Sequence, residues 1–485
     1  MPILLGIVLA LCCLSACSND GSDGSDGPPA TEGSGVTGLF VEGHVERAWT
    51  TRLRAIGQPV VVGRTAVVLT RAPRHRLAIV GLDTDNGRRL WRHPFQPSNI
   101  ATGYYTRPFV GTSKSGHRFV VFQRPDDVAR SDQWAEPLVA VAPRSGRVVH
   151  STEPVDVTDA VDTCLDGEDM CVAIVRDGGS ERVRFRLDKG GLRPAHDGVT
   201  IGARMLADGG LYSSGGTPES FGRAHAGKVQ WVRRLAGTFG AAHTSDQGWS
   251  LAYDEKAGVF WGSVGRTYTS DDIDSLWRNR RPLSPSDTGV VGFDAATGEV
   301  LWRRKTADNY CGTQADDDLP VRCFHLMRFT KYVPGQSISG KVRRLRMEGF
   351  DVKTGRTTWS VSVRGKAAEN ANAQKGRVAG RITNLHLKQG WRIVFLTDGR
   401  TRAAEPGEVF LCAGKVTTYA YHLDDDASGV RRTGDNLRST CTVRGKRVSG
   451  VPSVSALTSG AAEKAPGATW LVATARGVTA YRITQ

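Results

Sequence analysis

The feature that most restricts how this chain can fold is the pattern Gly-Phe-Asp-x-x-Thr-Gly-x-x-x-Trp. It runs from Gly292 to Trp302 and again from Gly349 to Trp359. An apolar run leads to the Asp, whose carboxylate can accept hydrogen bonds from turn amides, and the second Gly can take a left-handed backbone conformation. The pattern therefore predicts a β-hairpin. Its Trp supplies a flat apolar face by which one small sheet can pack on the next.

Further copies of this hairpin corner occur along most of the chain. The segment LAIVGLDTDNGRRLW keeps all three landmarks, SFGRAHAGKVQW keeps Trp231 but lacks the acid, and VAVAPRSGRVVH replaces the indole by His150. Two weaker copies surround Gly191 and Gly429. The predicted structural repeat positions are Asp83, Gly87, Trp91, Trp231, Asp294, Gly298, Trp302, Asp351, Gly355 and Trp359, with Trp49 as a further indole of the same kind.

Four-strand units that cannot bury both faces alone predict a solenoid or a propeller. The last residues, GVTAYRITQ, read as a third strand without a fourth, whereas GHVERAWTTRL reads as a Trp-bearing fourth strand without a third. Pairing the two would close a ring and remove unpaired sheet edges. We therefore predict one all-β propeller over residues 36–485, closed by its N- and C-terminal strands.

The number of blades follows from counting fourth strands. The predicted fourth strands lie at Trp49, Trp91, His150, 193–195, Trp231, Trp302, Trp359 and Thr433. This count predicts eight blades. Seven is the alternative, if the segment RFRLDKGGLRP is only an insertion.

The recurring Asp-x-x-Thr-Gly-x-x-x-Trp after a short apolar strand resembles the repeat of pyrroloquinoline-quinone (PQQ)-type β-propellers. The resemblance implies a scaffold used by quinoprotein alcohol dehydrogenases, by a propeller lipoprotein of the outer-membrane barrel assembly machinery, and by sensor domains of bacterial kinases. Because a repeat reports the scaffold alone, function has to be argued from a site.

The sequence argues against the dehydrogenase. Enzymes of that class need a catalytic Asp, a calcium site and commonly a vicinal disulfide, yet the only adjacent cysteines are Cys12 and Cys13 in the N-terminal apolar segment. The acidic run at Asp83 and Asp85 misses the spacing of a calcium loop and coincides with a repeat corner. No hydrolase, zinc-protease or phosphate-loop motif is present. We predict no catalytic residue, no metal site and no cofactor, with neither PQQ nor calcium.

The N-terminal residues predict an exported, lipid-anchored protein. Residues 3–14 form an apolar run of signal-peptide length, and Leu14-Ser15-Ala16-Cys17 resembles the lipobox of bacterial lipoproteins. This resemblance implies a signal peptide with lipobox at 1–17, which is cleaved just before Cys17. It also implies acylation (palmitate) of Cys17. Residues 18–35, rich in Gly, Ser and Asp, are predicted to be a flexible tether.

Six cysteines remain after the signal and the lipidated residue. They fall into the local pairs Cys164 and Cys171, Cys311 and Cys323, and Cys412 and Cys441. Disulfides suit an exported compartment, and spacing favours pairing between neighbours although six cysteines allow fifteen connectivities. A metal site is the alternative, but no Cys-x-x-Cys spacing is present and only His325 lies near a cysteine of these pairs.

The chain is strongly basic, with a formal net charge of +15. For an extracytoplasmic protein this charge favours anionic lipid headgroups or wall polymers over nucleic acid. We predict a non-catalytic binding scaffold at the cell membrane, facing the extracytoplasmic side, whose partner is another envelope protein, a peptide or an anionic wall polymer. A ligand-sensing propeller is the alternative, and a PQQ-dependent dehydrogenase is a weaker one.

Overall fold

The structure is a computed structural model. It describes residues 43–71, 77–95, 108–113, 116–125, 135–157, 161–163, 170–176, 179–188, 191–195, 204–207, 209–215, 218–225, 228–278, 289–307, 311, 319–334, 337–372, 380–413, 421–424, 427–430, 437–459 and 463–484. The predicted signal and Cys17, the tether at 18–35, and Cys164 lie outside the described residues.

The N-terminal half folds as short antiparallel strands. They are β1 (His44–Thr51), β2 (Ala55–Val62), β3 (Thr65–Arg71), β4 (Leu77–Asp83), β5 (Arg89–Phe95), β6 (Phe109–Thr112), β7 (Arg118–Gln123), β8 (Ala135–Val141), β9 (Val148–Asp156), β10 (Asp162–Thr163), β11 (Met170–Arg176), β12 (Gly179–Asp188), β13 (Gly191–Ala195), β14 (Arg204–Ala207), β15 (Leu211–Gly215), β16 (Ser220–His225) and β17 (Lys228–Arg234). Strands β2–β5, β6–β9, β10–β13 and β14–β17 each form a four-stranded sheet in chain order.

The C-terminal half continues this pattern with longer connections. Its strands are β18 (Trp249–Asp254), β19 (Val259–Val264), β20 (Val290–Asp294), β21 (Val300–Arg304), β22 (Val321–Val333), β23 (Ser337–Phe350), β24 (Thr357–Arg364), β25 (Ile382–Leu387), β26 (Gly390–Phe395), β27 (Thr401–Ala403), β28 (Phe410–Ala413), β29 (Tyr421–Asp424), β30 (Ala427–Val430), β31 (Arg438–Cys441), β32 (Glu463–Ala465), β33 (Thr469–Thr474) and β34 (Gly477–Thr484). The helices are α1 (Leu235–Phe239), α2 (Ser270–Arg278), α3 (Lys366–Asn372) and α4 (Val454–Thr458), with a 3-10 turn at Ser245–Gln247. Strands β18–β21 form a four-stranded sheet, β22–β24 and β25–β27 form three-stranded sheets, and β29–β30 form a separate hairpin.

The two ends of the chain pair as predicted. Strand β1 runs antiparallel to β34, with Trp49 opposite Ala480 and Arg47 opposite Tyr481. These strands belong to a six-stranded sheet with β33, β31, β28 and β32. The last sheet is therefore built from both ends of the chain, as the closing blade of a propeller is.

The structure supports seven blades and not the eight predicted as the main count. Seven predicted fourth strands lie in sheets, as β1, β5, β9, β13, β17, β21 and β24. The eighth was placed at Thr433, which lies outside the described residues, and the segment before it forms the isolated hairpin β29–β30. The segment RFRLDKGGLRP is no insertion, because it supplies β12 and β13 of a four-stranded sheet. The number of blades therefore agrees with the alternative, but the reason given for that alternative, that this segment is an insertion, is wrong.

The recurring Trp joins each sheet to the next. The indole N–H groups of Trp91, Trp231 and Trp302 donate to the carbonyls of Pro143, Ala295 and Val352 at 2.6, 2.9 and 2.7 Å. Trp49 does the same to Thr84 at 3.0 Å. Each acceptor directly follows the corner position at which the repeat places its Asp, so one bond geometry recurs from blade to blade.

The glycines of the pattern make room for these indoles. A Cβ on Gly298 would lie 2.7 Å from the ring of Trp231, and one on Gly355 would lie 2.5 Å from that of Trp302. The first Gly of the pattern has the same role within its own hairpin, since Gly292 and Gly349 lie directly beneath Trp302 and Trp359. Both glycines of the motif are therefore set by indole packing.

Two of the three predicted disulfides are formed in the structure. Cys311 is bonded to Cys323, and Cys412 is bonded to Cys441 across β28 and β31. Cys171 is also disulfide-bonded, while its predicted partner lies outside the described residues. Among those residues, no helix has the length and apolar character that a membrane crossing requires.

Candidate functional site

The hairpin of β22 and β23 is much longer than the corresponding strands of the other sheets. The two strands have 13 and 14 residues, whereas β3 and β4 have seven each. The pairing of β22 with β23 is interrupted by bulges at two points along β22, one between Leu326 and Met327 and one between Phe329 and Lys331. At about 3.3 Å per residue, the additional residues carry the hairpin roughly 20 Å beyond a seven-residue strand.

One face of this hairpin is dominated by cations. Residues paired in register lie on the same side of a sheet, and side chains two apart along one strand share that side. The pairs in order towards the tip are Arg322–Glu348, Phe324–Arg346, Leu326–Arg344 and Arg328–Lys341, with Arg364 of β24 opposite Arg344. We call this surface, together with Arg304 of β21, the basic face; its cations are Arg304, Arg322, Arg328, Lys341, Arg344, Arg346 and Arg364.

The inner end of the basic face is a buried ion pair. Arg322 is 1% exposed, and its Nε lies 3.1 Å from Oε2 of Glu348. Its other nitrogens donate to the Gly355 carbonyl at 2.9 Å and to the Thr357 hydroxyl at 3.0 Å. Burial lowers the pKa of Arg322, and repulsion from Arg304 and Arg346 adds to this effect against the attraction of Glu348. This pair fixes the inner end of the face to the repeat corner at Gly355.

The middle of the basic face is an aromatic ring between two guanidinium groups. The guanidinium carbon of Arg346 lies 4.2 Å from the ring centroid of Phe324, and that of Arg304 lies 5.6 Å from it. Nε of Arg346 lies 3.0 Å from Oε1 of Glu348. The same carboxylate thus faces both Arg322 and Arg346, and one negative charge is shared between two positive ones. Cation–π contact holds the guanidinium groups in place but does not neutralise them.

The outer end of the basic face is open to solvent and uncompensated. Arg328, Lys341, Arg344 and Arg364 are exposed, and within the described part of the chain none of them is ion-paired with a carboxylate. Leu326, between them, is 45% exposed. Like charges directly opposite each other destabilise a sheet. Because Arg344 faces Arg364 and Arg328 faces Lys341, this end of the hairpin should bind anions.

Helix α2 packs against the hairpin near its tip. The rings of Trp277 and Tyr332 stack with centroids 4.9 Å apart and planes at 9°, and the Tyr332 hydroxyl donates to the Asp274 carboxylate. That hydrogen bond raises the pKa of Tyr332. The helix begins with a reciprocal cap in which Asp272 accepts from the Thr269 amide at 3.0 Å and donates its own amide to the Thr269 hydroxyl at 3.1 Å. These contacts hold the projecting hairpin in one position.

On the side of β22 opposite the basic face lies a buried histidine. His325 is 6% exposed, and neither ring nitrogen has a hydrogen-bond partner among the described residues. Burial lowers its pKa to about 4 from an ordinary value of 6.5. Cys323, two residues before it, is held in a disulfide. Within the described residues, no group of three His, Cys, Asp or Glu side chains is placed to hold a metal ion.

The residues predicted from the repeat serve the packing of the sheets. Oδ1 of Asp294 accepts from the amides of Ala296 and Thr297 at 2.9 and 2.8 Å, so its carboxylate closes a turn. Asp83 accepts from the amide of Asp85 and pairs with Arg144 at 2.7 Å. None of these corners lies on the basic face. The basic face was not predicted from the sequence, although the closely spaced cations of KVRRLRME were a signal for it.

Comparison with known proteins adds a loose structural likeness. The sequence matches no protein-family profile and no curated protein. BamB from Moraxella catarrhalis is similar over 90% of this chain and 100% of its own, with 13% identity and a TM-score of 0.31. A europium-containing methanol dehydrogenase is similar over 76% of this chain and 83% of its own, with 10% identity and a TM-score of 0.32. For the dihydro-heme d1 dehydrogenase NirN the shares are 72% and 65%, with 14% identity and a TM-score of 0.37. Likenesses of this order carry no argument about what the chain binds or does.

Proposed function

We propose that this chain is a non-catalytic binding scaffold of the cell envelope, which holds an anionic partner on its basic face. The observation that carries the proposal is the set of four exposed cations at the outer end of that face, Arg328, Lys341, Arg344 and Arg364, which have no carboxylate partner among the described residues. Within the described part of the chain, the one carboxylate ion-paired with this surface is that of Glu348, which contacts Arg322 and Arg346. A partner that brings negative charge relieves their mutual repulsion, and long-range attraction speeds its approach.

The place of action in this proposal is the extracytoplasmic side of a membrane. The lipobox-like segment ending in Cys17 supports acylation there, and the Gly/Ser/Asp composition of residues 18–35 supports a tether. Residues 36–485 form a single propeller of PQQ-like type in this reading. The two formed disulfides are compatible with an oxidising compartment.

The proposal assigns no chemical step, cofactor or metal to the chain. The repeat tryptophans donate their indole N–H groups to neighbouring corners, and the repeat aspartates close turns, so these groups are engaged in holding the sheets together. A PQQ-dependent dehydrogenase would instead show dye-linked oxidation of alcohols or sugars when the quinone and calcium are added. A sensor of a small ligand would gain thermal stability with one compound in a screen.

Cross-linking in intact cells tests the proposed function. A photo-reactive side chain is placed at Leu326, which is 45% exposed on the basic face, or at Val232, which is 52% exposed on β17 of another sheet. The expected result is a reproducible adduct from position 326 that disappears when Arg328→Glu and Arg344→Glu are added. Adducts formed equally from both positions, or adducts unaffected by the charge reversal, would contradict the proposal.

A further inference from the structure

We infer that the partner is a linear anionic polymer, held on the side of the propeller that faces away from the membrane anchor. This inference rests on the proposed function, and deepens it by choosing between lipid headgroups and a polymer of the wall. It follows from three relationships: where the chain enters the propeller, where the basic face lies along its strands, and how its cations are spaced.

The chain enters the propeller on the side of the repeat corners. Its first described strand, β1, starts at His44, which pairs with Thr484 at the end of β34. Next to this end, Arg482 contacts the carbonyl of Asp85, a residue of the corner between β4 and β5, at 3.5 Å. Further along β1, the Trp49 indole bonds the corner carbonyl of Thr84. The predicted tether therefore leaves the propeller from the corner side.

The outer cations of the basic face lie at the other end of their strands. Strand β23 ends at Phe350, directly before the corner at Asp351, and therefore begins far from that corner. Lys341 is the fifth and Arg344 the eighth of the 14 residues of β23, and Arg364 ends β24, which starts at the corner. Phe350 is six positions after Arg344, which corresponds to roughly 20 Å along an extended strand. The basic face thus opens on the side opposite the tether.

The spacing of the cations fits a repeating charge. Arg346 and Arg344 are two residues apart on β23, and Lys341, beyond the bulge, is paired with Arg328. Successive levels of positive charge are therefore about 7 Å apart along the hairpin. A polymer with an anionic group in each repeating unit can lie along several levels at once. To contact headgroups of the anchoring membrane, this face would have to turn back past the body of the propeller on a tether with a reach of roughly 20–25 Å.

The test uses the full, lipid-anchored chain in vesicles of phosphatidylcholine, with labelled poly(glycerol phosphate) in solution. Flotation of the vesicles measures how much polymer the anchored protein retains. We expect retention of the polymer, and a change of less than about twofold when phosphatidylglycerol is added to the same vesicles at moderate salt. The double variant Arg328→Glu with Arg344→Glu should lower retention about tenfold or more, because two attractive contacts with the phosphates of the polymer become repulsive.

The matched control reverses two exposed charges at the corner end of the same sheet, Lys353→Glu with Arg356→Glu. We expect this variant to retain the polymer as the unchanged chain does. Displacement of the polymer by phosphatidylglycerol, or an equal loss in the corner variant, would overturn the orientation while leaving an anion-binding scaffold. If the protein floats with the vesicles but retains no polymer, the proposed function is overturned as well. Protein that does not float would overturn the anchor and the inference with it.

Discussion

The indole N–H of Trp91 donates to the carbonyl of Pro143 at 2.6 Å, and these two residues belong to different sheets. The same bond joins Trp302 to Val352 at 2.7 Å. In each case the donor lies on the last strand of one sheet and the acceptor lies in the corner of the next. The Trp of the repeat therefore acts between sheets, and the stability of the propeller should depend on it.

Replacing Trp302 by Phe should destabilise the protein by about 2–3 kcal/mol. The change removes part of a ring packed against Phe350 and leaves the Val352 carbonyl without its donor. The measurement is the free energy of unfolding by denaturant. Leu301→Ala, at a neighbouring side chain that is 46% exposed, is the control and should change it by less than about 0.5 kcal/mol. Equal effects of the two changes would show that the indole bond contributes nothing.

Replacing Gly298 by Ala should cost more stability than replacing Gly258 by Ala. Both glycines have a left-handed backbone, with φ of 71° and 66°, so both changes carry the same conformational cost of about 1 kcal/mol. Only Gly298 lies against an indole, since a Cβ there would be 2.7 Å from Trp231, whereas one on Gly258 would meet no atom within 4 Å. Thermal unfolding of the two variants separates packing from backbone conformation. Equal losses would mean that the corner does not need Gly for contact with Trp231.

The stability of the protein should fall on acidification because of His325. Its pKa in the fold is about 4, below the ordinary 6.5, so the unfolded chain binds a proton first as the pH falls. The contribution of the neutral ring is complete above about pH 6.5 and is lost as the pH drops towards 4, by about 3 kcal/mol in all. Unfolding free energies of the protein and of His325→Leu at pH 7 and pH 4.5 test this. The gain in stability of the variant over the unchanged protein should be larger at pH 4.5 than at pH 7. A gain that is the same at both pH values would refute the role of His325.

The disulfide between Cys412 and Cys441 should stabilise the last sheet. It closes a loop with a sequence separation of 29 between β28 and β31. Loss of a cross-link of this length should lower the free energy of unfolding by about 3–4 kcal/mol, mainly through the entropy of the unfolded chain. The comparison is between the protein and its double variant Cys412→Ser with Cys441→Ser, both under oxidising conditions. An unchanged stability would show that this bond restrains neither state.

The ring and its corners could be predicted because the relevant residues are close together in sequence. Asp294, Gly298 and Trp302 report one hairpin within nine residues, and the pairing of β1 with β34 follows from one strand missing at each end. The segment YHLDDDASGV resembles a corner in composition, which predicted an eighth fourth strand at Thr433, but its described residues form the isolated hairpin of β29 and β30. A missing Trp does not by itself rule out a corner, because Pro143, in the copy that carries His150, accepts the indole bond of Trp91.

The cations of KVRRLRME mark one strand of the basic face, but the full face could not be predicted from the sequence because it depends on how the strands pair. Arg344 and Arg364 are far apart in sequence and meet only because β23 pairs with β24, while Arg304 reaches Phe324 from a different sheet. The bulge between Leu326 and Met327 also shifts the alternation on which a sequence-based assignment of faces relies. The net charge indicated an anionic partner, but not the surface that would bind it.

The most direct test of the account is the affinity of the full chain for soluble poly(glycerol phosphate), measured by fluorescence anisotropy over a range of salt concentrations. The protein should bind with an affinity that falls steeply with salt, and Arg344→Glu with Arg364→Glu should weaken binding and flatten that dependence. Lys353→Glu with Arg356→Glu should leave both unchanged. Binding that is the same in the two variants, or that does not respond to salt, would contradict the claim that this face holds an anionic partner.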